Sequence, residues 1–360
     1  MSDGLNRTSL YEAHLKAGAR MVPFAGWEMP VQYASVIAEA NAVRQSAGMF
    51  DVSHMGRLII RGPESLAFLE KVTSNDVAKL GDRFGQYSLL PNPEGGCVDD
   101  IIVYHISGDE FRMVVNASNH EKDLMWLKSH APNGLEIEDQ TLFTAMIAVQ
   151  GPSATAILAK LSSTSQALED APAFGVVDTL ISGVPCFAAR SGYTGEDGFE
   201  LVCAASQSEA LWDALVAAGV SPCGLASRDT LRVEAGLPLY GHELNDTLSP
   251  LAVNLGWVVS KTKTFIGSEH YEEARKNGTP QKIQGIRLSA KRLIPTGSKV
   301  CVNGQEVGEV TSGVVSPLLD AGIGFALIDS SIPVGTECTV DLRGKPEPAE
   351  IVGKRFYKRK

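Results

Sequence analysis

Residues 99–117 read DDIIVYHISGDEFRMVVNA, two apolar runs on either side of the polar tetrad Ser107-Gly108-Asp109-Glu110. Short runs rich in Ile, Val, Phe and Tyr form strands. A tetrad carrying glycine and aspartate turns the second run back along the first as a β-hairpin, so the pairing is antiparallel. The same stretch raises a question of charge. Asp99 and Asp100 lead directly into the apolar Ile101, Ile102 and Val103, where an uncompensated carboxylate is costly. Successive side chains of a strand face opposite ways, so at most one of the two acids is functional. The other is expected to face solvent or to cap the Pro-Glu-Gly-Gly turn at 93–96. Pairing across the tetrad sets Asp100 opposite Asn116, or one residue off, giving a carboxylate beside a carboxamide at a sheet end. Spacing alone leaves equally open that Asp100 only hydrogen-bonds the turn backbone.

Around this hairpin, short helices and strands mix without strict alternation, which predicts antiparallel α+β rather than a doubly wound parallel sheet. GPESLAFLEKV (62–72) and GPSATAILAKL (151–161) read as helices opened by proline in the first turn. SQSEALWDALVAAG (206–219) has Ser206 and Glu209 spaced as a capping box, with Gly219 as its stop. Helices are also predicted at 117–130 and 267–278, and strands at 56–61, 99–106, 111–117, 143–149, 184–190 and 198–203. Beyond about residue 280 the texture becomes IQGIRL, SKVCVNG, QEVGEVTSG, GIGFALI, ECTVDLRG and PAEIVG, short strand candidates between turns. A small β-barrel follows from that pattern, with its boundary near 276–281.

With 360 residues, 44% of them apolar, the chain can bury a large core divided among two or three domains. Its formal net charge of -10 argues against a general nucleic-acid binder, and an anionic ligand would need a local cationic site. The first residues resemble neither a signal peptide nor a transit peptide, and no apolar run is long enough to span a bilayer, so a cytoplasmic protein is expected. The six cysteines are scattered and read as reduced core residues. Neither GxGxxG after a strand nor GxxxxGK[ST] occurs, and the seven histidines lack metal-ligand spacing, so no nicotinamide, flavin or metal is expected. His54, in DVSHMG, is weighed as a general base and read instead as a hydrogen-bonded structural residue.

Two further stretches carry polar groups in telling places. In GYTGEDGFEL (192–201) the turn acids Glu196 and Asp197 are expected to be solvated. Glu200 repeats the situation of Asp100, and its carboxylate could accept paired N–H groups from a flat heterocycle. GLASRDTLRVEAG (224–236) reads as a helix with Ser227 as N-cap, placing Arg228 in the first turn against the helix dipole. Arg228 either pairs with a nearby acid or receives a ligand carboxylate beside the free helix N–H groups.

FAGWEMPVQY (24–33), MFDVSHMG (49–56), GGCVDDIIVY (95–104), SGYTGEDGFEL (191–201), ASRDTLRVEAGLPLYGHEL (226–244) and TSGVVSP (311–317) together resemble the T-protein family of the glycine cleavage system, the aminomethyltransferases. The likeness runs from SLYEAH to the final strands. It implies a three-domain cloverleaf around a central folate cavity, with two interleaved α+β domains within 1–275 and a C-terminal barrel at 281–360. It implies transfer of a one-carbon unit from the aminomethyl-loaded lipoyl arm of H-protein to tetrahydrofolate. The products are 5,10-methylenetetrahydrofolate, ammonia and dihydrolipoyl H-protein. H-protein would dock transiently on a monomer, with neither nucleic acid nor membrane as partner.

By motif position the family's essential aspartate falls on Asp100. An aspartate, ordinarily ionised at neutral pH, would orient the folate amine and stabilise positive charge developing on the one-carbon unit. Tyr87 and Asn116 resemble residues lining the folate, Glu200 the carboxylate that clamps the pterin N–H groups, and Arg228 the residue facing the folate's glutamate end. Tyr193 and Tyr240 are expected to flank the cavity. The basic run KRFYKRK (354–360) is either a frayed solvated tail or a contact for folate polyglutamate or an acidic H-protein surface, with Tyr357 reaching the ligand. Departures are small: Cys97 stands where a bulkier aliphatic is common, and ASRD replaces AARD, a change expected to favour the cap. Folate-dependent demethylases share the fold and remain an alternative. A non-catalytic folate protein of iron-sulfur cluster assembly is a second alternative, but its KGC-type, GQ-containing signature is absent here.

Overall fold

The hairpin at 99–117 forms. In the computed structural model, which describes residues 4–359, strand Cys97–Ser107 pairs antiparallel with Glu110–Val115 in a register running from Ile102↔Val114 to Ser107↔Glu110. The first strand starts two residues ahead of the acids, so both lie inside it and alternate in burial. Asp99 is fully buried and Asp100 half-buried. Of the two outcomes expected for the acid other than Asp100, facing solvent does not occur, because parity along the strand turns Asp99 to the side of Ile101 and Val103.

The chain makes two compact units. One comprises residues up to Val72, Asp76–Ser88 and Ile101–Arg228; the other comprises Thr73–Asn75, Leu89–Asp100 and the chain from Asp229 onward. The chain changes unit within strands Phe84–Pro91 and Cys97–Ser107 and within helix Leu225–Ala235.

In the first unit a six-stranded sheet runs in the order Val176–Ile181, Val184–Ala189, Gly198–Ala204, Thr144–Gln150, Gly48–Asp51 and Ser221–Pro222. Only the last pairing is parallel. On one face Met49, Ile147, Val149, Phe199 and Leu201 pack with Leu158 and with Leu211, Trp212 and Leu215 of helix Ser208–Ala217. Truncating a buried tryptophan such as Trp212 to alanine costs about 3–5 kcal/mol. On the other face Phe187 and Ala189 pack with Tyr104 and Ile106. Those two belong to a five-stranded sheet ordered Phe84–Pro91, Cys97–Ser107, Glu110–Val115, Gly56–Arg61, Glu136–Asp139. The antiparallel α+β reading holds.

Helix starts depart from the sequence expectations. Residues 205–207 form a short 3-10 turn, so helix Ser208–Ala217 begins two residues after the predicted cap, and the Ser208 hydroxyl donates to the Ala205 carbonyl. Pro63 and Pro152 lie two residues ahead of helices Ser65–Val72 and Ala154–Leu161 rather than in their first turns. Gly219 does end its helix, with φ +86.

In the second unit a closed barrel is ordered Gln281–Leu288, Ala321–Asp329, Gln305–Ser316, Lys299–Val302, Glu337–Asp341, Pro346–Val352. Ile286, Val300, Val310, Ile328, Val340 and Ile351 fill it. A register irregularity between Val310 and Ser312 accompanies a buried Ser312 hydroxyl that accepts from Arg232 Nη2 at 2.7 Å. Arg232 is 1% exposed and also donates to Glu243 at 2.9 Å. Residues 354–357 of the C-terminal run are docked rather than frayed. Phe356 stacks on Phe325, the backbone N–H groups of Phe356 and Tyr357 donate to the Glu234 carbonyl, and Lys354 Nζ donates to the Val253 carbonyl. Burial of that ammonium pulls its pKa down to about 8. Among the described residues no helix is long and apolar enough to cross a membrane.

Candidate functional site

Three of the residues singled out in the sequence gather in the first unit. Registers Glu200↔Ala148 and Phe50↔Ala148 set Glu200, Ala148 and Phe50 in one row across three strands. This row lies on the face away from the helices, so Glu200 points away from the main core. Its Oε2 accepts the Ser191 hydroxyl at 2.5 Å, and Ser191 in turn lies 3.2 Å from the Tyr104 hydroxyl. The Arg228 guanidinium sits 5.8 Å from the centre of the Phe50 ring and 5.0 Å from that of Tyr193. No carboxylate pairs with it within 4 Å, and its buried Nη1 has no hydrogen-bond partner among the described residues. Burial lowers the Arg228 pKa, partly offset by the charge of Glu200 and by Tyr193.

Arg228 is held in place by a distant acid. Helix Leu225–Ala235 starts before Ser227, so Ser227 is not the N-cap. The buried Glu39 carboxylate takes that role instead, accepting the Gly224 N–H at 2.9 Å and the Ser227 hydroxyl at 3.0 Å on Oε2. Its Oε1 accepts the N–H groups of Tyr33 and Ala34. One carboxylate thus ties the FAGWEMPVQY segment to the start of the Arg228 helix. The serine of ASRD serves this contact and not the cap expected of it.

The GYTGEDG loop beside Tyr193 is likewise pinned. A Cβ on Gly192 would stand 1.8 Å from Gln150 Oε1, so a larger residue there would push the Gln150 amide off the hydrogen bonds it makes to the loop. Gln150 accepts the Thr194 hydroxyl and donates to the Ser191 carbonyl. The turn acids are not solvated, contrary to expectation. Glu196 pairs with Arg44 at 2.9 Å and Asp197 with Arg190 at 2.7 Å, so the two arginines of neighbouring elements clamp the loop.

The MFDVSHMG turn is fastened from both sides. Asp51 Oδ2 accepts from Thr8 at 2.6 Å and from His14 Nε2 at 2.8 Å, and Oδ1 accepts the Ser53 N–H at 2.9 Å. Burial alone would raise the Asp51 pKa, but the hydrogen bonds from His14, Ser53 and Thr8 outweigh it and bring it down to about 2. Arg57 reaches back to the carbonyls of Ser53 and Met55. Between these clamps the buried His54 ring meets Phe24 edge-on at 5.5 Å, and its Nδ1 has no partner among the described residues. The expectation of a hydrogen-bonded structural histidine is corrected. Burial, opposed by the charge of Asp51 and aided by those of Arg228 and Arg57, pushes its pKa down to about 4. It is therefore neutral at pH 7 and too weak to act as the base considered from sequence.

Tyr87 and Asn116 also belong to the first unit, both half-buried, with Asn116 directly following strand Glu110–Val115. Asp100, Tyr240 and Tyr357 belong to the second. The segment carrying Asp100 is anchored there. Cys97 N–H donates to the Asn245 carbonyl at 3.0 Å, Tyr240 Oη donates to the Cys97 carbonyl at 2.9 Å, and Tyr271 Oη donates to the Gly96 carbonyl at 2.6 Å. A Cβ on Gly96 would stand 1.8 Å from the Asp246 carbonyl oxygen, which requires glycine before Cys97. Sequence reasoning named the motifs around Glu39, Gln150, Arg44 and Asp51 or passed over them, but assigned none of the four a role. Each acts on a segment more than 30 residues away or through a buried bond that no local pattern encodes.

A two-part enzyme architecture matches this chain in its family models. That of the GCVT N-terminal domain covers residues 10–263, and that of the glycine cleavage T-protein C-terminal barrel domain covers 281–358. The aminomethyltransferase of Geobacillus kaustophilus is 45% identical over 363 residues, covering 99% of both chains, and that of Deinococcus deserti is 46% identical over 355 residues, covering 98% of this chain and 97% of the relative. The crystal structure of glycine cleavage system aminomethyltransferase T from Bartonella henselae superposes with a TM-score of 0.91 at 32% identity, covering 99% of each chain. The chain belongs to the glycine cleavage T-protein family, and its function is that of an aminomethyltransferase.

Proposed function

We infer that the chain takes the aminomethyl group carried on the dihydrolipoyl sulfur of H-protein and delivers its carbon to tetrahydrofolate. The observation that carries the ligand assignment is Arg228. It is a guanidinium flanked by Tyr193 and Phe50, with a buried Nη1 that no group among the described residues satisfies, and near enough to Glu200 to feel its charge. Buried polar groups are almost always paired, and a flat ligand with anionic and N–H groups supplies what this one lacks. In this reading Glu200 accepts pterin N–H groups, Arg228 faces the glutamate end, and Tyr87, Asn116, Tyr193, Tyr240 and Tyr357 line the folate. The domain division proposed is two interleaved domains within 1–275 and a barrel at 281–360. The family-model boundaries at 263 and 281 support a separate barrel from about 281.

Asp100 is the reacting carboxylate. It orients the folate amine that attacks the aminomethyl carbon, and its charge stabilises the iminium-like carbon as ammonia departs. A second folate nitrogen then closes on that carbon and the C–S bond breaks, returning dihydrolipoyl H-protein and yielding 5,10-methylenetetrahydrofolate. Holding two substrates in register supplies the larger share of the acceleration. The enzyme works as a cytoplasmic monomer that H-protein visits transiently, and the reaction requires no metal, nicotinamide or flavin. The test is formation of methylenetetrahydrofolate from tetrahydrofolate and aminomethyl-loaded H-protein. Turnover that depends on both substrates supports the reading. No product, with folate bound, overturns it.

A further inference from the structure

We propose that His54 is a ligand-contacting residue of the folate site, donating from Nδ1 to an oxygen of the folate in the neighbourhood of Arg228. The proposal rests on the folate reading above. Its own support is geometric. The turn that carries His54 is held by Asp51 through the Ser53 N–H, by Arg57 through the carbonyls of Ser53 and Met55, and by the Met55 N–H donating to the Val52 carbonyl. Asp51 is itself fixed by Thr8 and His14. So much anchoring leaves the imidazole little freedom, and the edge of Phe24 restricts it further. A ring so held, 4% exposed and with Nδ1 unsatisfied, would be a net cost to the fold unless something outside the chain completes it.

The location points to the folate. Val52 continues the ladder of Phe50 through its N–H bond to the Met146 carbonyl, and Phe50 is the ring beside Arg228. Arg228 stands near enough for its charge to lower the His54 pKa, so two of the unsatisfied groups of this unit, Nδ1 and Nη1, share a neighbourhood. Two donors without acceptors, one cationic and one neutral, suit the oxygens of a carbonyl or carboxylate. A neutral imidazole adds a directed hydrogen bond beside the arginine without adding like charge.

The test compares His54→Leu, His54→Asn and His54→Gln by equilibrium binding of tetrahydrofolate, by KM for folate and for loaded H-protein, and by thermal melting. The amide nitrogen of Asn occupies the place of Nδ1, whereas that of Gln occupies the place of Nε2. The expected result is that His54→Leu weakens folate binding about fivefold or more, leaves KM for H-protein unchanged, and melts no lower than wild type. His54→Asn recovers most of the affinity and His54→Gln does not. The proposal is overturned if wild-type protein binds tetrahydrofolate but His54→Leu binds it equally well, or if Asn and Gln behave alike. Wild-type protein that fails to bind tetrahydrofolate at all would instead overturn the folate reading and this proposal with it.

Discussion

The Tyr240 hydroxyl donates to the backbone carbonyl of Cys97 at 2.9 Å, three residues ahead of Asp100. With Asn245 on the Cys97 N–H and Tyr271 on the Gly96 carbonyl, it fixes the entry of the strand that carries Asp100, the acid proposed to react. If Asp100 reacts as proposed, Tyr240 acts as a positioning residue for it. Tyr240→Phe removes one hydrogen bond, worth about 1 kcal/mol. We expect kcat to fall about three- to tenfold while the melting temperature changes little. Steady-state kinetics beside thermal melting separate this from a general loss of fold.

Strand parity makes the two aspartates unequal. Asp100→Asn should lower kcat by about 10²- to 10³-fold, the scale of losing one preorganised electrostatic contact, with folate affinity retained. Asp99, fully buried, should report in melting temperature when changed to Asn. If Asp99→Asn is the inactive but stable variant, the assignment of the reacting acid is reversed.

Arg232 and Glu243 form a buried ion pair, 1% and 0% exposed. Glu243 also accepts the hydroxyls of Ser312 and Thr311, so it joins the YGHEL and TSG motifs within the second unit. Glu243→Ala leaves the buried Arg232 with the half-exposed Asp229 as its ionic partner and should cost about 3 kcal/mol, read by denaturant unfolding. Glu243→Leu paired with Arg232→Met should recover much of that loss, because no buried charge then remains unpaired.

Acid should destabilise the first unit in two steps. His54 has a folded pKa near 4 against 6.5 unfolded, so between those values the unfolded chain binds a proton that the folded one refuses. Its contribution is full above pH 6.5 and declines as pH falls to about 4, a loss of about 3 kcal/mol. Asp51, depressed from 3.8 to about 2, contributes stability present above its unfolded value and lost as pH falls through that lower window. Unfolding free energies from pH 7 to 4 should show the first step in wild type, and it should disappear in His54→Leu.

Much of this molecule was legible in its residues. The alternation of DDIIVYHISGDEFRMVVNA determined an antiparallel hairpin and placed its two acids on opposite sides, because side-chain direction in a strand follows from local geometry alone. The change of texture after residue 280 marked the barrel for the same reason, since short alternating runs between turns are a local signal. Motif order was enough to point to the T-protein family. Tertiary structure decided what local pattern cannot carry: that Asp99 is buried, that Glu39 caps a helix 185 positions away, that Glu196 and Asp197 are clamped by arginines, and that His54 Nδ1 finds no partner among the described residues. These are properties of burial and of partners brought together by folding. The free energy of a charge or a hydrogen-bonding group depends on what surrounds it in space, which neighbours in sequence do not specify.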